Sequence, residues 1–139
     1  MYAIVLGCGS TGVKISEWLM ASGTEVTVIE KDPERQRFVD NLFGSVVTLG
    51  DGSVVATLEA AGAQRADLFI ATLGSDEDNM LACQIAKHNF KVDTTLALSG
   101  NPDKAHLLGI LGIDIVVDLT ELITEEIQRI VAPMLVEDL

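Results

Sequence analysis

Two patterns of apolar residues alternate along the chain. Six short runs, at residues 2–6, 25–29, 45–49, 67–72, 94–98 and 114–117, are rich in Val and Ile and apolar at nearly every position. Such runs suit parallel strands covered on both faces, since a strand with one wet face would alternate apolar and polar instead. Between them, residues 11–22, 33–42, 53–62, 76–90 and 102–111 carry apolar side chains at helical spacing. Pro33 and Pro102 suit first-turn positions, where a missing N–H costs no intrahelical bond. Asp76 is placed as an N-cap, and Gly23, Gly62 and Gly112 as helix ends. Strands separated by helices predict an α/β fold, a doubly wound parallel six-stranded sheet complete by residue 118.

Residues 119–139 are then surplus to the sheet. Over 119–136, Leu119, Leu122, Ile123, Ile127, Ile130, Val131, Met134 and Leu135 fall on one broad helical stripe, with Glu121, Thr124, Glu125, Gln128 and Arg129 mainly opposite. Five helices already cover the sheet, so this stripe is expected either to close over its own domain or to pack on another subunit. Pro133 removes a bond to the Arg129 carbonyl and crowds it, which predicts a break or kink.

Length and charge narrow the function classes. The chain has 139 residues, which is one domain, or one domain plus a short appendage. Acidic residues number 21 against 9 basic ones, for a net charge of −12, and no basic stripe exists for a phosphate backbone. Nucleic acid is not expected as a partner. Mean hydropathy is +0.36. Even so, no apolar run approaches the ~18 residues that span a bilayer, and the Met1-Tyr2-Ala3 start lacks a basic signal region. The sequence reads as cytosolic, without direct membrane insertion. Cys8 and Cys83 both sit inside apolar patterns and make no disulfide framework.

The most informative segment is Gly7-Cys8-Gly9-Ser10-Thr11-Gly12, which follows the first strand and opens the first helix. An acid, Glu30, closes the second strand 18 residues after Gly12. Together these match the Rossmann dinucleotide fingerprint in its full context. Gly7 permits the tight turn, Gly9 lets a pyrophosphate approach the backbone, and Gly12 lets helix and strand pack closely. The helix N-terminus offers unpaired N–H groups and a positive dipole end to phosphates. Glu30 accepts from ribose hydroxyls and repels a 2′-phosphate, which favours NAD or an adenosine nucleotide over NADP. Other signals are weaker. Cys8 is read as a small residue filling the turn, Trp18 as packing beside Ile15, and Asp76-Glu77-Asp78 as a solvated first turn. Neither His88 nor His106 has ligand-spaced partners for a metal.

Five segments resemble the regulator-of-potassium-conductance nucleotide-binding domain, the KTN or TrkA-N family. They are Ala3–Leu6 with the glycine loop; Val28-Ile29-Glu30-Lys31-Asp32-Pro33-Glu34; Gly50-Asp51-Gly52-Ser53; Ala71-Thr72-Leu73-Gly74-Ser75-Asp76-Glu77-Asp78-Asn79; and Ile113–Val117 leading into a terminal helix. The resemblance implies a cytoplasmic regulatory subunit, peripheral to the inner membrane through a potassium channel or transporter partner, that senses NAD(H), ATP, ADP or AMP. It implies no catalysis. Gly7, Gly9 and Gly12 would cradle phosphates, Glu30 would bind the ribose, and Asp51 and Gly52 would sit by the adenine, with Cys8, Ser10, Thr11 and Lys31 also counted among the cofactor-binding residues. Thr72 and Gly74 would line the far side. Residues 1–118 would form the nucleotide-binding domain, and 119–139 a crossover helix making a homodimer or larger ring, with a second short helix from Pro133. Many members place Arg after the second glycine, where this sequence has Ser10. That difference weakens any preference for a triphosphate. The sequence also ends at Leu139, short of the C-terminal ligand-binding subdomain many members carry. The competing reading is an NAD-dependent dehydrogenase or its cofactor domain, but no convincing acid–base pair for hydride chemistry accompanies the fingerprint.

Overall fold

The structure, a computed structural model, describes residues 1–137. In chain order the elements are β1 (Tyr2–Leu6), α1 (Ser10–Ala21), β2 (Glu25–Glu30), α2 (Pro33–Phe43), β3 (Val47–Leu49), α3 (Val55–Ala60), a 3-10 turn (Ala63–Arg65), β4 (Leu68–Ala71), α4 (Asp76–Phe90), β5 (Thr94–Ser99), α5 (Pro102–Ile110), β6 (Ile115–Asp118) and α6 (Leu119–Glu137). All strand pairs are parallel, in the order β3-β2-β1-β4-β5-β6. The expected six-stranded, doubly wound sheet is therefore present.

Every residue of β1 is buried, as continuous apolarity requires of a central strand with helices above and below. Alternate residues feed two cores. Ala3, Val5 and Val28 pack with Leu19 of α1 and Val39 of α2. Ile4, Leu6 and Phe69 pack on the other face with Leu58 of α3, Ala82 of α4 and Leu108 of α5. The chain feeds α1 to one face after β1 and α4 to the other after β4. Since β1 and β4 are neighbours, their C-terminal ends splay apart into the crevice expected where a doubly wound sheet reverses its strand order.

Several boundaries depart from the sequence reading. The strand expected over 45–49 begins only at Val47, because Gly44 turns the chain at φ +85° and the Asp40 carboxylate takes the N–H groups of Val46 and Val47. The third helix is six residues, not the expected 53–62, and Gly62 in the left-handed region separates it from the 3-10 turn. Asp76 is not the N-cap. Ser75 holds that position and accepts from Asp78 N, while Asp76 turns inward and is buried. Trp18 lies beside Ile15 but is 67% exposed.

The terminal helix also differs from expectation. α6 runs unbroken through Pro133, with no second helix beginning there. Proline forfeits the bond to the Arg129 carbonyl, but Arg129 is exposed, so water can take that acceptor. From Thr120 to Val136 every residue is exposed except half-buried Val131. Residues 138 and 139 of the segment lie outside the described residues. Among the described residues, no helix is long and apolar enough to cross a membrane.

Candidate functional site

The site begins at the end of β1. Gly7 turns the chain at φ +97°, a conformation open to glycine at little cost, and its N–H donates to the Ile29 carbonyl at 2.9 Å. A Cβ on Gly12 would stand 2.1 Å from the Gly7 carbonyl oxygen, so α1 can lie this close to the turn only with glycine there. Gly9 is different, for a Cβ on it would meet nothing within 4 Å. The glycines thus divide as the fingerprint predicts, two taken up by backbone packing and one facing open space. Gly9 is also the N-cap of α1, and no side chain caps that helix, so its first N–H groups point outward without a protein acceptor. Ser10 and Thr11 flank this end and are exposed.

Beside the turn, the ends of β1, β2 and β4 enclose a crevice of about 430 Å³, a size typical of small-molecule sites. Leu6, Ile29 and Leu73 give it apolar walls. Glu30, Lys31, Asp51, Gly52 and Gly74, all singled out in the sequence, line it. Asp32, Gly50, Ser53 and Ser75 line it too, none given a binding role from the sequence, as does Asp78, which was read only as part of a solvated first turn. The glycine loop borders this cavity rather than forming its wall. Thr72 lies beneath, where its hydroxyl donates to the Leu6 carbonyl at 2.8 Å and ties β4 to β1 under the turn.

The walls are held by hydrogen bonds that reach well into the core. Asp51 accepts from the N–H and hydroxyl of Ser53 at 2.8 and 2.7 Å, and these bonds hold its carboxyl below the usual Asp range. Fully buried Asn79 brackets Leu73, accepting from its N–H and donating to its carbonyl, each at 2.9 Å, and also donates to Leu98 O at 3.0 Å. Buried Asp76 accepts from Ser99 Oγ at 2.6 Å and Gly100 N at 3.0 Å. Together they fix the β4–α4 loop, and with it Gly74 and Ser75. Leaving these two polar side chains unpartnered would cost about 1–3 kcal/mol each, so their bonds make the loop stiff.

Cys8 is buried, and desolvation pushes its thiol up, aided by the Glu30 and Asp32 carboxylates and opposed by Arg35. It fills the turn, as the sequence reading expected. Its carbonyl accepts from Arg35 Nε at 3.2 Å and Nη2 at 2.6 Å, which brings a guanidinium to the glycine loop from α2. Sequence inspection missed this contact, whose one signal is an Arg in the first turn of the helix after Glu30.

Comparison with known proteins follows the same outline. The chain is 28% identical over 139 residues to a Trk system potassium uptake protein TrkA homolog of Methanothermobacter thermautotrophicus, covering all of this chain and 64% of that one. It is 31% identical over 137 residues to the Trk system potassium uptake protein TrkA of Vibrio alginolyticus, covering 94% of this chain and 30% of that one. The chain therefore spans only part of the length of these relatives. Among solved structures, the TrkA-N domain of inner membrane protein ybaL from Escherichia coli superposes with a TM-score of 0.86 at 20% identity, over 93% of this chain and 95% of that one. The Shewanella denitrificans Kef CTD in AMP-bound form gives 0.81 at 21%, over 97% and 82%. The GsuK channel bound to NAD gives 0.76 at 22%, over 87% and 22%. At these identities the superpositions establish a shared fold. The TrkA-N domain sequence model matches residues 3–119, from β1 to the first residue of α6, and the chain belongs to the TrkA-N domain family.

Proposed function

We propose that this chain is the nucleotide-sensing, non-catalytic regulatory part of a potassium uptake system. Its crevice would take NAD(H) or an adenine nucleotide (ATP, ADP or AMP). Gly7, Cys8, Gly9, Ser10, Thr11 and Gly12 would receive the phosphates, and Glu30 and Lys31 the ribose. Asp51 and Gly52 would border the adenine, with Thr72 and Gly74 on the far side. The observation that carries the reading is one juxtaposition: a glycine with open space above it at an uncapped helix start, next to a 430 Å³ crevice walled by a strand-end acid. Names of the relatives support the potassium system, and the NAD-bound and AMP-bound proteins of the same fold support the ligand class.

The output would run through α6, whose exposed apolar stripe would join two copies or close a ring. The assembly would sit at the cytoplasmic face of the inner membrane, held there by a channel or transporter subunit rather than by insertion. Ligand acts on such an assembly only through different affinity for two arrangements of the paired helices. Calorimetric titration with NAD, NADH, ATP, ADP and AMP tests the reading, repeated on Glu30→Ala. Loss of two charge-assisted hydrogen bonds to a ribose should weaken binding about 30-fold or more. Unchanged affinity in the variant, or turnover of NADH by the chain, would overturn it.

A further inference from the structure

Charge around the crevice is one-sided. Four carboxylates line it, those of Glu30, Asp32, Asp51 and Asp78, against the single ammonium of Lys31. Among the described residues, none of the four pairs with a Lys or Arg. Their neighbour Glu77 makes the contrast plain, since it turns away from the crevice to meet Lys104 on α5. Arg35 donates to the Cys8 carbonyl on the α2 side of the turn and does not line the crevice. Glu30, Asp32 and Asp51 cluster at the ends of β2 and β3, where a ribose and a base need acceptors. Asp78 stands alone on the opposite wall, exposed in the first turn of α4, past Gly74 and Ser75. In the placement proposed above, with the base at Asp51 and Gly52, the ribose at Glu30 and the phosphates over the glycine loop, a nucleotide's outermost group would face Asp78 beside Gly74.

We infer that the crevice selects its ligand by charge, taking an adenine dinucleotide or a nucleoside monophosphate and turning away a nucleoside triphosphate, with Asp78 as the discriminating side chain. The inference rests on the nucleotide reading and narrows it. A triphosphate places its most heavily charged end beside an uncompensated carboxylate. The pyridinium of oxidised NAD offsets part of its pyrophosphate charge, and AMP ends short of that wall. The helix N-terminus of α1 serves a first phosphate equally well in every case, so it cannot restore the balance.

Competition titrations of NAD+, AMP, ADP and ATP on the full chain, with and without magnesium, test the inference on wild type and Asp78→Asn. NAD+ and AMP should bind about tenfold more tightly than ATP. Asp78→Asn should close most of that gap by tightening ATP, while NAD+ moves about twofold or less. The Ser75 cap bonds the Asp78 backbone, so the variant keeps its fold, which near-UV circular dichroism verifies. ATP matching NAD+ in wild type, with or without magnesium, would overturn charge selection alone. So would a variant whose ATP affinity does not change. No binding by any nucleotide would overturn the nucleotide reading itself, and charge selection with it.

Discussion

Gly9 and Gly12 share one turn yet should answer oppositely to a single added methyl group. Gly12→Ala drives a Cβ into the Gly7 carbonyl, a backbone atom with no room to move, and should cost about 3 kcal/mol of stability or prevent folding. Gly9→Ala meets nothing in the protein, so its thermal melt should fall far less than that of Gly12→Ala, by no more than the modest cost of Ala at an N-cap. Its methyl group would instead occupy the space a phosphate needs, and nucleotide affinity should fall about tenfold or more. Melting curves and titrations on the two variants separate packing from binding within three residues. The same contrast shows what a sequence carries at this scale. The glycine turn and Glu30 were legible because the fingerprint sets a residue type at a fixed distance from a strand end, and Lys31, Asp51, Gly52 and Gly74, which line the crevice, were marked only by resemblance to the family's segments. Asp78 and Arg35 were not, because their importance comes from what stands across a cavity, and spacing along the chain does not encode that.

Individual elements are held at their ends as much as along their length, and Asp114 shows how. It precedes β6 and accepts from Thr95 N at 2.8 Å, Thr95 Oγ1 at 3.1 Å and Lys87 Nζ at 2.9 Å, clipping the edge strand to β5 and α4. These bonds, the Thr95 N–H foremost, hold its carboxyl below the ordinary value of 3.8. A lowered folded-state value stabilises the fold above the ordinary Asp range, and the benefit is lost as pH falls through it. Urea unfolding from pH 7 to 3 should therefore show a downward step in stability below about pH 4 that Asp114→Asn flattens. The variant should also be about 1–2 kcal/mol less stable at pH 7. Strands and helices were legible to within a few residues wherever both faces are covered. Two of the misses share a cause, since Asp40 claiming the start of β3 and Ser75 rather than Asp76 capping α4 are choices between nearby polar groups. α6 passing through Pro133 is another kind of miss, a lost bond that solvent can replace.

For the molecule as a whole, the largest unbalanced feature is α6, an exposed apolar helix on a chain of net charge −12. Burying its stripe against a second copy should overcome the mutual repulsion of two acidic chains, more readily as salt screens it. Light scattering should find a dimer or larger ring, and Ile123→Asp with Ile127→Asp should leave a monomer whose melt is unchanged, because neither residue belongs to the core. A monomeric wild type at micromolar concentration would count against the pairing role.

The hydroxyl of Thr72 under the glycine turn has a consequence for how the chain comes into being. β1 can pair with β2 once residue 30 has been made, but it gains its other neighbour only when β4 arrives, since Ala3 lies opposite Leu68. Until then a growing chain holds half a sheet, with one edge of its most apolar strand bare, and contacts this far apart in sequence form slowly. Thr72, one residue past β4, adds its hydroxyl bond at the end of the ladder that joins the two halves. A nascent chain therefore has its glycine loop written within the first dozen residues and no pocket to go with it until some sixty more have followed.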